Sequence, residues 1–151
     1  MMKKKVISIA LVLALALSLA ALSGCGSSKV TLNVYNWGEY ISDGSDGSLD
    51  TIHAFEDWYE STYGQKVKVN YSTYASNEDL YAKLKSGAVS YDVIIPSDYM
   101  VARMGEEGLL MELDYSKIPN AENIDERYLH PAYDTEQKYS LPYMWGTTGI
   151  I

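Results

Sequence analysis

The sequence has one cysteine, one phenylalanine, two histidines and four prolines in 151 residues. A lone cysteine, Cys25, rules out a disulfide within the monomer, so the fold rests on its apolar core. The two histidines make no metal-spaced pair. His53 falls on the polar side of a predicted helix and His130 precedes Pro131, so both read as surface residues. There is no nucleophile elbow and no phosphate-cradling glycine loop. Nothing selects a pair from the many Asp and Glu for glycoside chemistry. No catalytic residue, metal ligand or cofactor is therefore assigned. Basic residues are scarce as well. Of 12, three stand together near the N-terminus, and beyond them 20 acidic residues face only 9 basic ones. Such a chain is a poor nucleic-acid binder. Its acidity is compatible with cationic ligands, although acidity mostly serves solubility.

What is present is skewed toward two aromatics, with fourteen Tyr and three Trp. Both combine an apolar body with a polar tip, as wet binding surfaces require. The N-terminus has the layout of an export signal over residues 1–24. Lys3, Lys4 and Lys5 precede an unbroken apolar and small-residue run from Val6 to Leu22. Leu22-Ser23-Gly24-Cys25 resembles a bacterial lipobox, which would make Cys25 the lipidated first residue of the mature protein. Residues 25–30 then form a short, flexible, lipidated tether. A multiply acylated anchor is stable, since each buried CH₂ contributes roughly 0.8 kcal/mol. The expected location is the outer face of the cytoplasmic membrane, or the periplasm.

The folded part is organised around Val34-Tyr35-Asn36-Trp37-Gly38-Glu39-Tyr40. A strand over Thr31–Tyr35 delivers two rings and a carboxylate onto a loop. Ile41–Ser48 is a polar Gly-rich loop with alternating Asp and Gly, lacking the further oxygens and terminal Glu of a calcium loop. A helix follows over Leu49–Tyr63, with Ile52, Phe55 and Tyr59 on one face and Gly64 as its stop. Lys66–Tyr71 alternates as a strand with one covered face. Ser76 starts a helix with Glu78 and Asp79 in its first turn. Leu80, Tyr81 and Leu84 are its buried stripe, and Gly87 ends it. Tyr91–Pro96 is a continuous apolar run suited to a central parallel strand. A helix over Tyr99–Glu107 ends at Gly108. Residues 114–135 are polar and turn-rich, with a short helix expected near Glu122–Tyr128. Tyr143-Met144-Trp145-Gly146 leads into a last strand. The order βαβαβα predicts a parallel sheet with helices on both faces. Ligands then bind at the carboxyl ends of strands, where Trp37-Gly38-Glu39-Tyr40 and Ser97-Asp98-Tyr99 lie on the same sheet edge. The chain stops inside an apolar strand-like run, which predicts the N-terminal part of a longer protein.

Asn36-Trp37-Gly38-Glu39-Tyr40 resembles the N-W-x-E-Y motif of polyamine-binding proteins of ABC importers. The run from Tyr71 to Glu78, followed by Tyr81 to Lys85, is similar to theirs too. So are Tyr91-Asp92-Val93-Ile94-Ile95-Pro96-Ser97-Asp98-Tyr99 and Tyr139-Ser140-Leu141-Pro142-Tyr143-Met144-Trp145-Gly146-Thr147. Four motifs in the right order span Thr31 to Ile151, most like the spermidine/putrescine-binding group. The resemblance implies a type II periplasmic-binding-protein fold, α/β, with two lobes closing on a ligand about a hinge. Residues 31–142 would be the first lobe, with its parallel sheet, and 143–151 the start of the hinge crossing. The second lobe would be essentially absent from this chain. By the same resemblance Trp37 and Tyr40 line the polyamine channel, and Ser97 and Tyr99 form its second wall. Glu39 sits near one ammonium. Gly38 replaces a Thr of some members and contributes backbone only, and Asp98 falls at a variable position. The principal carboxylates belong to the family's second half.

Physical chemistry agrees with that expectation. An ammonium only donates hydrogen bonds, so it seeks carboxylate, Ser and Tyr oxygens. Its methylenes seek ring faces, and a cation over a Trp or Tyr face gains ~0.5–2 kcal/mol. The expected protein is a non-enzymatic, monomeric solute-binding lipoprotein. Its partners are spermidine or putrescine, the membrane subunits of an ABC permease, and the membrane through Cys25. The same fold binding another amine or a metal chelate is an alternative, as is a secreted α/β enzyme. An inert surface lipoprotein would leave the aromatic strand ends without a role.

Overall fold

The computed structural model describes residues 29–146. The expected leader, Cys25, most of the tether and the last strand from Thr147 lie outside the described residues. Three parallel strands form the sheet: β1 (Val30–Trp37), β2 (Val67–Tyr74) and β3 (Val93–Ile94), in the spatial order β2-β1-β3. Three helices connect or follow them: α1 (Thr51–Tyr63), α2 (Asn77–Lys85) and α3 (Asp98–Glu106). The alternation expected from the sequence is thus present, and β1 runs two residues further than expected, through Trp37.

Local sequence accounts for the helix ends. The Asp50 carboxylate accepts the His53 amide at the start of α1, and Gly64 closes it in the left-handed region at φ 66°. The Ser76 hydroxyl accepts the Asp79 amide at the start of α2. Glu78 and Asp79 in its first turn and Lys83 and Lys85 in its last complement the helix dipole. His53 is exposed as expected, but it is paired with Asp50. The Asp-Gly loop holds Asp43 in a local bond. Asp43 accepts the Ser45 amide, while Asp50 caps α1.

One face of the sheet carries the main core. Tyr35 and Tyr74 point to it from β1 and β2, against Leu80 of α2 and Met100 and Met104 of α3. Leu80 and Met104 are completely buried. Each such side chain contributes about 1.5–3 kcal/mol relative to exposure. Val67 and Val69 are buried on the opposite face, and α1 packs on β2, where Glu56 accepts the Val69 amide at 2.7 Å.

Two expectations need correction. Tyr91–Pro96 was expected to be a central strand, yet β3 is two residues long and lies at an edge of the described sheet, with Val93 44% exposed. A run of apolar residues reports burial, and burial needs neighbours; among the described residues none pairs with the outer side of β3. The short helix near Glu122–Tyr128 is instead two 3₁₀ turns, Pro119–Asn123 and Glu126–Tyr128. Asp125 caps the second through the Arg127 amide.

A charge cluster ties α2 to α3. The Glu107 carboxylate accepts hydrogen bonds from Lys85, from Tyr81 and from Arg103. These donors, Lys85 foremost, hold its pKa down to about 2. A depressed carboxyl stabilises the fold above the ordinary carboxylate range and loses that contribution as pH falls toward the lowered value. Glu107→Gln is therefore expected to lower the unfolding temperature at pH 7. The gap from the parent protein should close as pH falls from about 4.5 to about 2. Thermal unfolding followed by circular dichroism across that range measures it; a gap that persists at pH 2 would contradict the assignment.

Candidate ligand-binding site

β1 ends at Trp37, and its register fixes that residue beside Tyr74 of β2. Residues opposite each other in register share a face. The Trp37 and Tyr74 rings accordingly lie 4.5 Å apart, tilted by 54°. The Tyr74 hydroxyl donates to the Ile95 carbonyl just beyond β3. Burial pushes its pKa well up, so it remains a donor wherever the protein is folded. One buried tyrosine thus joins the ends of β2 and β3 beneath the Trp37 ring. The neighbouring Asn36, also buried, accepts the Trp37 amide at 2.7 Å.

Past Trp37 the chain turns outward. Gly38 and Glu39 are exposed, and the Glu39 carboxylate has no partner among the described residues. The chain turns back at Tyr40, whose ring lies 6.2 Å from that of Trp37. The Tyr40 carbonyl accepts a hydrogen bond from the Tyr143 hydroxyl, and the two rings are 6.3 Å apart. The 139–143 segment is itself well anchored. Buried Asp134 accepts the amides of Lys138, Tyr139 and Ser140 and the Ser140 hydroxyl. Burial would raise this carboxyl, but the four donors outweigh it and the pKa is lowered. Gly105 lets the Tyr139 ring lie on α3, since a Cβ there would come within 3.3 Å of the ring.

At the end of β3, Ser97 occupies the N-cap position of α3 without capping it through its side chain. Its hydroxyl is used otherwise. Asn77 of α2 donates to the Ser97 Oγ at 3.0 Å and accepts the Ser97 amide at 3.1 Å. Asn77 also donates to the Tyr99 hydroxyl at 3.0 Å, and that hydroxyl donates to Glu78 at 3.1 Å. A hydroxyl oxygen has two lone pairs, so Ser97 keeps one for a ligand.

The structure brings Trp37, Tyr40 and Ser97 together. All three line one broad cavity of about 1350 Å³ at the carboxyl edge of the sheet, with Ile95, Pro96 and Tyr143. Asp98, set aside from the sequence, lines it too and supplies a carboxylate. Tyr99, Glu39 and Gly38 are not among its lining residues. Tyr99 instead closes the bond network behind Ser97. The cavity also runs along the exposed side of β3, where Leu84, Val93 and Leu110 make it apolar. Its aromatic and polar part offers ring faces to apolar stems and oxygen acceptors to cationic groups.

Sequence reading missed Tyr74, Asn77 and Asp134. Asn77 was absorbed into a helix-start pattern beside Ser76. The signal available was its place one residue after a cap, where a polar side chain faces back toward the preceding strand ends.

Residues 29–151 match the family described as bacterial extracellular solute-binding protein. The chain belongs to that family. Among its curated relatives, the spermidine/putrescine-binding periplasmic protein of Salmonella typhimurium is 40% identical over 138 residues, covering 89% of this chain and 36% of its own. The putrescine-binding periplasmic protein SpuD of Pseudomonas aeruginosa is 39% identical over 142 residues, covering 93% of this chain and 35% of its own. Two solved structures agree. One is a putative spermidine/putrescine ABC transporter from Listeria monocytogenes, with TM-score 0.63 at 39% identity over 77% of this chain and 32% of that one. The other is the spermidine/putrescine ABC transporter substrate-binding protein PotD from Streptococcus pneumoniae, solved with calcium and HEPES. Its TM-score is 0.64 at 39% identity, over 78% of this chain and 33% of that one. This solute-binding protein chain thus spans about a third of the length of the relatives it matches. Its α/β fold with a parallel sheet is theirs, and the family name implies export.

Proposed function

We propose that this chain supplies one wall of a cleft that captures a polyamine, spermidine or putrescine, for an ABC permease. The observation that carries the reading is the convergence of Trp37, Tyr40 and Ser97 on one cavity at the strand ends. Relatives about 40% identical, named for spermidine and putrescine binding, support the ligand class. The rings take the methylenes and one cation, while the Ser97 oxygen and the Asp98 carboxylate accept from an ammonium. Further carboxylates come from the remainder of the full-length protein, which closes over the ligand and excludes water. Residues 31–142 act as the first lobe, and the segment assigned to 143–151 begins the crossing to the second. A lipid on Cys25 holds the mature protein at the outer face of the cytoplasmic membrane, and capture involves no catalytic step.

Calorimetry on the full-length protein tests this reading. Spermidine or putrescine is expected to bind with micromolar or tighter affinity. Absence of heat with either polyamine, at protein concentrations that would reveal such binding, would refute it.

A further inference from the structure

Asn77 is the first residue of α2 and is 5% exposed. Leu80, one helical turn on, is completely buried, so Asn77 shares the inward face of the helix. A buried side-chain amide is costly unless its polar atoms are bonded. All the bonds of this one go to the turn that opens α3. Nδ2 donates to the Ser97 Oγ and to the Tyr99 hydroxyl, each at 3.0 Å, and Oδ1 accepts the Ser97 amide at 3.1 Å. Chemistry fixes this orientation. The Ser97 amide can only donate, so it must face Oδ1, which leaves Nδ2 for the two hydroxyls.

Those bonds determine what each hydroxyl has left. Nδ2 only donates, so both oxygens accept from it. Tyr99 gives its own proton to Glu78 at 3.1 Å. Ser97 retains its proton and one lone pair. A serine at an N-cap position ordinarily spends its oxygen on an amide of the first helical turn. Ser97 makes no such bond. Asp98 accepts the Tyr99 amide at 2.7 Å, and the Met100 and Val101 amides go to the Ser97 carbonyl. The start of α3 therefore does not use the Ser97 hydroxyl. Ser97 lines the cavity, held at its amide and at its oxygen by one buried side chain.

We propose that Asn77 is a positioning residue of the binding site. It is not among the residues that line the cavity, and it acts through Ser97. A free serine hydroxyl samples several staggered positions, and the bond from Nδ2 selects one before a ligand arrives. An ammonium then meets an oxygen already in place, and binding is spared the ordering of that side chain. The inference rests on the polyamine reading above and adds to it the residue that sets the Ser97 acceptor.

A double-mutant cycle on the full-length protein tests it. Calorimetry measures the affinity of the parent, Asn77→Ala, Ser97→Ala and the double variant for spermidine and for putrescine. Circular dichroism confirms that each is folded at the measuring temperature. Ser97→Ala is expected to weaken binding about tenfold or more, the loss of one hydrogen bond to a charged group. Asn77→Ala should weaken it about fivefold or more in the parent, and less than about twofold in the Ser97→Ala background. A purely structural role would give Asn77→Ala the same loss in both backgrounds, and that result overturns the inference. Unchanged affinity of either single variant overturns it too, and leaves the polyamine reading standing. A parent protein that binds neither polyamine refutes that reading and the inference with it. Should Asn77→Ala not fold, Asn77→Ser carries the cycle. It keeps a polar side chain at the start of α2 but cannot reproduce all the Asn77 bonds, and the same dependence on Ser97 is expected of it.

Discussion

Trp37→Ala in the full-length protein is expected to weaken polyamine binding by roughly 30- to 700-fold. The loss combines a cation–π term of ~0.5–2 kcal/mol with the burial of one or two methylenes at about 0.8 kcal/mol each, and the water admitted by the gap. A total of about 2–4 kcal/mol corresponds to that range at about 1.4 kcal/mol per tenfold. The side chain is half-buried at the end of β1, so the fold should survive the change. Trp37→Phe keeps a ring face and should lose less than tenfold. Titration calorimetry on the three proteins, with circular dichroism to confirm folding, makes the comparison. An unchanged dissociation constant for Trp37→Ala would remove this ring from the site.

Tyr74→Ala should act on the fold itself, with an expected loss of about 3–5 kcal/mol of stability, the range for removing a buried aromatic. Tyr74 is only 5% exposed. It makes an edge contact with Tyr35 at 5.0 Å, supports Trp37 at 4.5 Å, and ties β2 to the end of β3 through Ile95. Tyr74→Phe separates these roles. It keeps both ring contacts and removes only the hydroxyl, leaving the Ile95 carbonyl to find another donor, at about 1–3 kcal/mol. Urea unfolding of both variants measures the difference. Equal losses for the two would show that the hydroxyl bond, and not ring packing, dominates; a negligible loss for Tyr74→Phe would show that the tie to Ile95 is unimportant.

The sequence carried the elements well where local chemistry decides them. Gly64 after α1, Ser76 before α2 and Gly108 after α3 are signals that act within a turn of themselves, whereas the Asp50 cap lay inside the helix expected from Leu49. The loops that carry Trp37 and Ser97 were legible because apolar runs stop abruptly before them, although β1 runs on to Trp37 and β3 stops at Ile94. The edge position of β3 was not legible, because Val93, Ile94 and Ile95 present the same apolar run with or without a neighbour on the outer side. Asp134 was equally hidden. It is one of 20 acidic residues, and only the return of Lys138 to Ser140 over it makes it an acceptor of four bonds. Tyr74 and Asn77 were hidden for other reasons. Tyr74 lies three residues beyond the strand expected over Lys66–Tyr71, and Asn77 sits in a helix start already explained. Their cross-links to Ile95 and Ser97 join segments about twenty residues apart. The placement of Tyr99 behind Ser97, rather than on the cavity wall, follows from the same Asn77 bonds.

The Trp37–Tyr40 stretch also has its two rings held from different quarters. Trp37 is fixed by strand pairing, by Asn36 and by the Tyr74 ring beneath it. Three residues later, Tyr40 is held by the Tyr143 hydroxyl, at the end of the segment that Asp134 anchors. If this wall takes a polyamine as proposed, it works as a gauge with one jaw keyed to the sheet and the other to the 139–143 segment. Diamines and triamines of different length would then be told apart by where the second ammonium falls against Tyr40.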